Sequence, residues 1–308
     1  MAKPTINPAL FNYYLHANNK NLDHTPDPFD LANLTSSTGV AVSNFGVKLE
    51  GTAGADLLVA KGNQTQLFGL AGNDLIFGSP HDDRIDGGTG ADLMAGGKGN
   101  DTYYVDDPRD QVVERPGEGV DTVATSVGYT LPANVENMYV ANSSVSDNKS
   151  LVGNTLDNNI TGSAFGYDTI LGLDGNDRLD DSVRTGGLLD GGNGNDILIL
   201  SFGEAIGGAG ADTFVAAGRG AMTSPNAPIN ITDFNAAEGD KIVIYATQDY
   251  SSADVFASGA LHFDATTSKL VLDFDPTTTE DYSVDQILYL TGLHTFDPAW
   301  VTITDQHV

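Results

Sequence analysis

The sequence contains no cysteine, few basic residues and no long apolar run. Without cysteine the chain forms no disulfide, no thiolate metal site and no cysteine nucleophile. Only 14 lysines and arginines stand against 42 acidic residues, for a net charge of −28. No two basic residues are adjacent, which excludes a surface for nucleic-acid phosphates. No stretch reaches the roughly 20 apolar residues of a membrane-spanning helix, and the first twenty residues lack the apolar core of a cleaved secretory signal.

Glycine is abundant, with 36 residues, and it recurs in a nine-residue pattern that begins at Gly51. Six consecutive units follow one another without a gap: GTAGADLLV, AKGNQTQLF, GLAGNDLIF, GSPHDDRID, GGTGADLMA and GGKGNDTYY. The sixth place of the unit holds Asp56, Thr65, Asp74, Asp83, Asp92 and Asp101, and the eighth holds Leu58, Leu67, Ile76, Ile85, Met94 and Tyr103. The sixth place therefore favours a ligand role and the eighth a core role.

The residue types predict a turn followed by a very short strand. Glycines permit the backbone angles of a tight turn, and the last three residues suit a strand whose middle side chain points inward. Two units form one coil of 18 residues, so Asp56, Asp74 and Asp92 stack along one edge of a solenoid, which we call the first edge. Asp83 and Asp101 stack along the opposite edge, the second edge. Asp110 continues the first column by arithmetic.

Stacked carboxylates repel one another unless a cation lies between them, and oxygen ligands without imidazole or thiolate favour calcium over magnesium. Two adjacent turns supply about the 6–8 oxygens that calcium takes. Backbone carbonyls at the first and third places complete the predicted ligand set: Gly69, Ala71, Gly87, Thr89, Gly78, Gly96 and Lys98. The six inward side chains bury too little surface to offset the ordering of so many residues, so we expect the metal-free segment to be unfolded.

A second block repeats with a looser period. GNTLDNNIT, GLDGNDRLD, GGNGNDILI and GGAGADTFV begin at residues 153, 172, 191 and 207. Their sixth places are Asn158, Asp177, Asp196 and Asp212, and their eighth places are Ile160, Leu179, Leu198 and Phe214. The opposite edge is irregular: Asp168 is clear there, but the stretch DDSVRTGGLLD cannot be placed by counting. We therefore expect fewer well-formed ion sites in this block than in the first.

Units such as GGTGADLMAGGKGNDTYYV resemble the repeat-in-toxin (RTX) nonapeptides,. The resemblance covers about half the chain clearly and most of it loosely. It implies an all-β fold, a parallel β-roll in two blocks with a β-rich C-terminal cap, and about six calcium ions. It also implies a partner, the type I secretion exporter, which reads an uncleaved C-terminal signal. The protein would then be extracellular or held at the cell surface, folding when it meets calcium outside.

The predicted organisation has five parts. Residues 1–46 form an N-terminal cap, 47–104 the first roll block, 105–152 longer connecting coils, 153–215 the second block, and 216–308 the C-terminal cap with the secretion signal. Within the connecting coils, Glu114, Asp121 and Glu136 are candidate ligands, but we favour a solvated face for them.

The enzymes that accompany RTX repeats are not found in the sequence. The zinc-protease pattern HExxH and the nucleophile elbow GxSxG are both absent, and the sequence predicts no catalytic residue and no cofactor other than calcium. We expect a non-enzymatic surface or matrix protein, an adhesin or surface-layer-like component, with cell-surface glycans or further copies of itself as possible partners. Two alternatives stay open: a released effector of a plant-associated or competing bacterium, and a module of a carbohydrate-modifying enzyme.

Overall fold

The structure is a computed structural model that describes residues 39–43, 48–61, 64–141, 148–164, 166–181, 186–217, 228–245, 261–272 and 286–304. Most of the predicted N-terminal cap, and part of the DDSVRTGGLLD stretch (residues 182–185), lie outside these residues. Among the residues that the structure describes, no helix has both the length and the apolar composition needed to cross a membrane.

The described residues are almost entirely β-structure, arranged in three sheets. Sheet I contains five strands in the spatial order β1 (Gly39–Ser43), β3 (Asp56–Ala60), β5 (Leu75–Phe77), β7 (Leu93–Ala95) and β9 (Gln111–Val112). Sheet II contains twelve: β2 (Lys48–Glu50), β4 (Gln66–Phe68), β6 (Arg84–Asp86), β8 (Thr102–Val105), β10 (Thr122–Thr125), β12 (Asn137–Val140), β14 (Asn159–Thr161), β16 (Arg178–Asp181), β18 (Ile197–Leu200), β20 (Thr213–Ala216), β22 (Lys241–Tyr245) and β26 (Val301–Thr304).

Sheet III contains nine strands, in the order β11 (Tyr129–Thr130), β13 (Ser150–Val152), β15 (Thr169–Asp174), β17 (Gly187–Asn193), β19 (Gly203–Ala209), β21 (Ile229–Ile231), β25 (Gln286–Leu290), β24 (Lys269–Leu272) and β23 (Leu261–Asp264). All pairings in the three sheets are parallel except those of β24 with β23 and β25. The chain alternates between sheet II and the opposite sheets, so the prediction of an all-β parallel roll with a β-rich cap is confirmed.

The nine-residue unit sets both strand length and register. In β5, Ile76 is the middle residue of three and is fully buried. It pairs with Met94 on β7, 18 residues later, just as Leu67 on β4 pairs with Ile85 on β6. Every second unit therefore stacks on the same sheet, and the eighth-place side chains of both sheets meet in one apolar core,.

Sheet II continues without interruption through residues 105–152, whereas the opposite side of the roll is divided between sheets I and III. Strands β9 and β11 do not pair with each other, so sheet I ends at Val112 and sheet III begins at Tyr129. A cleft of about 530 Å³ lies at this break, and its lining includes Asp110, Gln111 and Thr130. Only one of the two faces therefore extends along the whole roll.

The C-terminal residues pack onto the end of the roll. Strand β26 pairs in parallel with β22. It follows a single 3-10 turn, Pro298–Trp300, that is capped by the side chain of Asp297. The Trp300 ring lies 5.6 Å from that of Phe234 and 5.9 Å from that of Phe296, between ring centroids. These rings cover the last coil, so the residues predicted to carry the secretion signal include part of the folded cap.

Candidate metal centres

The second edge carries a side-chain oxygen at the sixth place of ten successive coils. Strand register places these residues one above another. They are Thr65, Asp83, Asp101, Asp121, Glu136, Asn158, Asp177, Asp196, Asp212 and Asp240.

One oxygen of most column members accepts a hydrogen bond from the backbone of the preceding coil. The amide of Asp83 donates to Asp101 Oδ1 at 2.7 Å, and the amide of Asp177 donates to Asp196 Oδ1 at 2.7 Å. The same bond joins the amide of Asp212 to Asp240 Oδ1 at 2.9 Å. These bonds fix each carboxylate between two coils and orient its other oxygen.

The other oxygen has no hydrogen-bond partner in most of these aspartates, although it is buried. An unpartnered buried carboxylate oxygen is costly, because it loses water and gains nothing in exchange. Its presence at turn after turn indicates that a cation is the missing partner. The unpartnered oxygens on the two edges include Oδ1 of Asp56 and Oδ2 of Asp74, Asp92, Asp101, Asp177, Asp196 and Asp212.

Beside most first-place glycines lies a small space lined by oxygen atoms of two adjacent coils, which we call a cradle. A Cβ built on Gly51 would lie 2.7 Å from Asp56 Oδ2 and 2.7 Å from the carbonyl oxygen of Gly69 on the next coil. On the second edge, a Cβ on Gly191 would meet Asp196 Oδ2 and lie 2.6 Å from the carbonyl oxygen of Gly207. A carboxylate and a carbonyl from adjacent coils thus converge on one small space. Hard oxygen donors arranged in this way fit calcium.

Burial also changes how these groups titrate. It raises the pKa of Asp92 to about 7, of Asp101 to about 8 and of Asp177 to about 7. Neighbouring carboxylates add to the shift in all three. Burial likewise raises the pKa to about 6 in Asp74, Asp110, Asp196 and Asp212. A fully ionised column is therefore unfavourable unless positive charge is bound within it.

The predicted first-edge column is present in the first block. The amide of Asp56 donates to Asp74 Oδ1 at 2.8 Å, and the amide of Asp74 donates to Asp92 Oδ1 at 2.8 Å. Asp110 continues the column, accepting from the amide of Asp92 at 3.0 Å. The arithmetic that placed Asp110 in this column is confirmed, although its turn lacks glycines.

Asp168 lies on the first edge, but the two adjacent coils carry no aspartate at the corresponding place. Its Oδ1 accepts from the amide of Lys149 at 2.8 Å and its Oδ2 from the amide of Ser163 at 2.6 Å. The corresponding residues on the adjacent coils are Lys149 and Gly187. Asp168 Oδ2 and Asp181 Oδ1 instead both lie near the position that a Cβ on Gly162 would occupy, at 3.1 Å and 2.8 Å. The irregularity expected on this edge of the second block is confirmed.

The predicted carbonyl ligands occupy the turns in different ways. The carbonyls of Gly69, Gly87 and Gly96 point at the cradles of the preceding coils. Ala71 and Thr89 form a parallel bridge, and the Thr89 carbonyl accepts from the amide of Gly72 at 2.9 Å. The ligand roles of all seven predicted carbonyls stay predictions.

The expectation of a solvated face in the connecting coils is wrong for two of three residues. Asp121 is 1% exposed and Glu114 is 7% exposed, while Glu136 is half-buried. Asp121 accepts from the amide of Asp101 at 2.8 Å, and Glu136 accepts from the amide of Asp121 at 2.8 Å. The turns here have lost the nine-residue pattern, although Gly117 and Gly119 remain before Asp121. Each acidic residue of the column still precedes an inward apolar residue by two places. That shorter signal also identifies Asp240, before Ile242.

Comparison with known proteins agrees with this geometry. The sequence model of a family described as RTX calcium-binding nonapeptide repeat (4 copies) matches residues 68–103 and 188–204. The chain is 44% identical over 66 residues to the endo-1,3-1,4-beta-glycanase ExsH of Rhizobium meliloti, a match that covers 21% of this chain and 13% of the glycanase.

Among solved structures, the chain is similar to the extracellular lipase LipA of Serratia marcescens, at 17% identity and a TM-score of 0.23. The match covers 89% of this chain and 42% of the lipase. The chain thus spans less than half the length of either of these proteins.

Proposed function

We propose that this chain, an RTX hemolysin-type repeat protein with a calcium-binding β-roll, is a secreted, non-enzymatic protein that folds when it binds extracellular calcium. The observation that carries the proposal is the row of buried carboxylate oxygens without partners. We propose as ligands Asp56, Asp74, Asp92, Asp83, Asp101, Asp177, Asp196, Asp212 and Asp168, with the carbonyls of Gly69, Ala71, Gly87, Thr89, Gly78, Gly96 and Lys98.

The net charge of −28 supports coupling between calcium and folding. In a compartment with little calcium, repulsion within the stacked columns opposes the compact state. The chain would stay unfolded there and leave through a type I exporter. Extracellular calcium modules bind at about 10⁻⁴–10⁻³ M, so the columns would fill outside the cell, with about six ions as the expected number.

We further propose that the folded protein acts at the cell surface or in the matrix, as an adhesin or surface-layer-like component that binds glycans or other copies of itself. The placement of the carboxylates supports a structural role. Those of the columns are held between coils by backbone hydrogen bonds, as in the pairs Asp83–Asp101 and Asp177–Asp196. The cleft beside Asp110 has that one carboxylate in its lining. We retain the division at residues 46, 104, 152 and 215 as part of this proposal.

A module of a carbohydrate-modifying enzyme is the second candidate. The observation that favours it is the 44% identity to the glycanase over 66 residues. If this candidate is right, the purified chain or the longer protein that contains it hydrolyses a β-glucan, and a screen of mixed-linkage glucans detects the released sugar.

A calcium titration of the purified chain, followed by far-ultraviolet circular dichroism, tests the proposed function. We expect an open coil in excess chelator and a cooperative gain of strand signal near millimolar calcium. Complete strand signal in chelator contradicts the proposal. Fractionation of producing cells tests the surface role: a surface component stays with the cells until chelator is added, whereas a released effector is found in the medium.

A further inference from the structure

The turn that ends at Asp121 differs from every repeat turn before it. The interval from Asp101 to Asp121 is 20 residues, where the earlier intervals on this edge are 18. The amide of Val113 donates to the carbonyl of Met94 at 2.9 Å. Because this bond pairs Val113 with Ala95, Glu114 stands beside Gly96, at the first place of the turn. A carboxylate therefore occupies the place that glycine holds in the repeats.

The Glu114 side chain joins two column aspartates. Carboxylate oxygens of Asp101, Glu114 and Asp121 all lie within 4.8 Å of one another, and all three residues are buried. The Tyr103 hydroxyl donates to Glu114 Oε1 and accepts from the amide of Gly96 at 2.5 Å. Four side chains from two adjacent coils thus meet around one point.

Two oxygens of this cluster have no hydrogen-bond partner: Asp101 Oδ2 and Glu114 Oε2. Both belong to residues that are more than nine-tenths buried. The salt bridges found among the described residues involve other side chains. Within the described part of the chain, the three buried carboxylates therefore share a small volume without an ion pair to a basic side chain.

We propose that Asp101, Glu114 and Asp121 form a calcium site distinct from those of the repeat turns, with a third carboxylate where the repeats offer a glycine carbonyl. Ligand charge is one of the properties that set calcium affinity in proteins. The site with three carboxylates is therefore the tightest of the roll and fills first. Carboxylates that bind with one or two oxygens suit calcium, whereas magnesium demands near-ideal octahedral geometry.

The position of the site gives it a structural consequence. It lies where the regular nonapeptides of the first block end, since the first segment matched by the family model stops at residue 103. The amide of Asp121 donates in turn to Glu136, which carries the column onward. Calcium bound here would hold the irregular coil onto the first block. The proposal rests on calcium binding by the roll for the identity of the ion, while the cluster itself rests on its own geometry.

The test is a calcium titration of the full chain and of three variants by calorimetry. Glu114→Gln removes one of the three charges, Asp177→Asn removes a ligand from a regular repeat turn, and Glu204→Gln changes an exposed glutamate. We expect Glu114→Gln to weaken the tightest step by roughly tenfold. Asp177→Asn should leave that step intact and lose binding among the weaker steps, and Glu204→Gln should match the original chain.

Terbium luminescence gives a second readout that does not require Glu114→Gln to fold. A lanthanide ion bound at the cluster lies close to Tyr103, so excitation through tyrosine reports on it directly. The first equivalent of terbium should emit strongly in the original chain and lose most of that emission in Tyr103→Phe, while Asp177→Asn keeps it.

The outcomes separate this proposal from the proposed function. If Glu114→Gln binds calcium like Glu204→Gln and the first terbium equivalent emits equally in Tyr103→Phe, the site is refuted, although the repeat turns still bind calcium. If neither the original chain nor any variant binds calcium, the proposed function itself fails.

Discussion

The two edges of the roll differ although the core between them does not. Along the second edge, the units of the second block keep six residues from their first to their sixth place, as in 153–158, 172–177, 191–196 and 207–212. Each sixth place directly precedes a strand of sheet II. Along the first edge, the connections vary widely in length, from residues 201–202 between β18 and β19 to residues 217–228 between β20 and β21. The second edge retains its column of oxygens, while the first edge loses its column after Asp110.

This difference separates two requirements of the fold. Stacking needs an inward apolar residue in each strand, and both faces supply one. A continuous ion column needs, in addition, a turn that presents its side-chain oxygen against the next coil, as the turns before Asp121 and Asp240 do. The changes in connection length on the first edge leave strand register intact but remove that second condition. We therefore expect most of the calcium-dependent stability of the second block to come from the second edge.

The largest expected effect is that of pH in calcium-free buffer. Asp92, Asp101 and Asp177 have an ordinary pKa of 3.8, raised in the fold to about 7, 8 and 7 by burial. A raised pKa means that the folded state binds protons more tightly, so its stability is present at low pH and is lost as pH rises through about 4 to 8. Circular dichroism without calcium should show strand structure appearing as pH falls through this range.

With calcium present, the same groups give the opposite dependence. Ions bind the ionised carboxylates, so protons compete with calcium and acid raises the calcium concentration needed for folding. A metal-free chain that is equally unfolded at pH 4.5 and pH 8 would contradict the assignment of these buried carboxylates.

The next effect comes from filling one cradle on the second edge. Gly191→Ala places a methyl group against Asp196 Oδ2 and 2.6 Å from the carbonyl of Gly207. Overpacking together with loss of an ion should lower the free energy of unfolding by about 3–4 kcal/mol in calcium. Gly54→Ala is the matched control, because its methyl group would have Thr52 Oγ1 as its nearest neighbour, at 3.9 Å. Denaturant unfolding should place the control within about 0.5 kcal/mol of the original chain.

A smaller effect is the difference in stability loss between a substitution in the middle of one column and a substitution at the end of the other. Asp177 has column neighbours on both sides, Asn158 and Asp196, whereas the only neighbour of Asp56 among the described column residues is Asp74. A site filled at ten times its dissociation constant contributes about 1.4 kcal/mol. Asp177→Asn, which affects two sites, should therefore cost about 2–3 kcal/mol, and Asp56→Asn about half as much. Equal losses at the two positions would show that the columns do not share ions between coils.

Much of this arrangement was predictable from the sequence, because the nine-residue pattern fixes both the inward residue and the sixth-place carboxylate. The step from Asp74 to Asp92 follows from that period alone, and the step of 19 residues from Asp177 to Asp196 follows from matching the units of the second block. The irregular coil was not predictable, since the interval from Asp101 to Asp121 is 20 residues and the nine-residue pattern is lost there, which made Glu114 and Asp121 resemble surface residues. Strand register, set by Val112 and Val123, still brought Asp121 into the column and Glu114 beside it.

Hydrogen exchange with and without calcium, followed by mass spectrometry, tests most directly whether ions between stacked coils fold this chain. The column amides of the second edge, from Asp83 to Asp212, should exchange freely without calcium and become protected together when it is added. In the second block, first-edge connections should gain less protection than these amides. Full protection of the second-edge amides in calcium-free buffer at neutral pH would contradict the account.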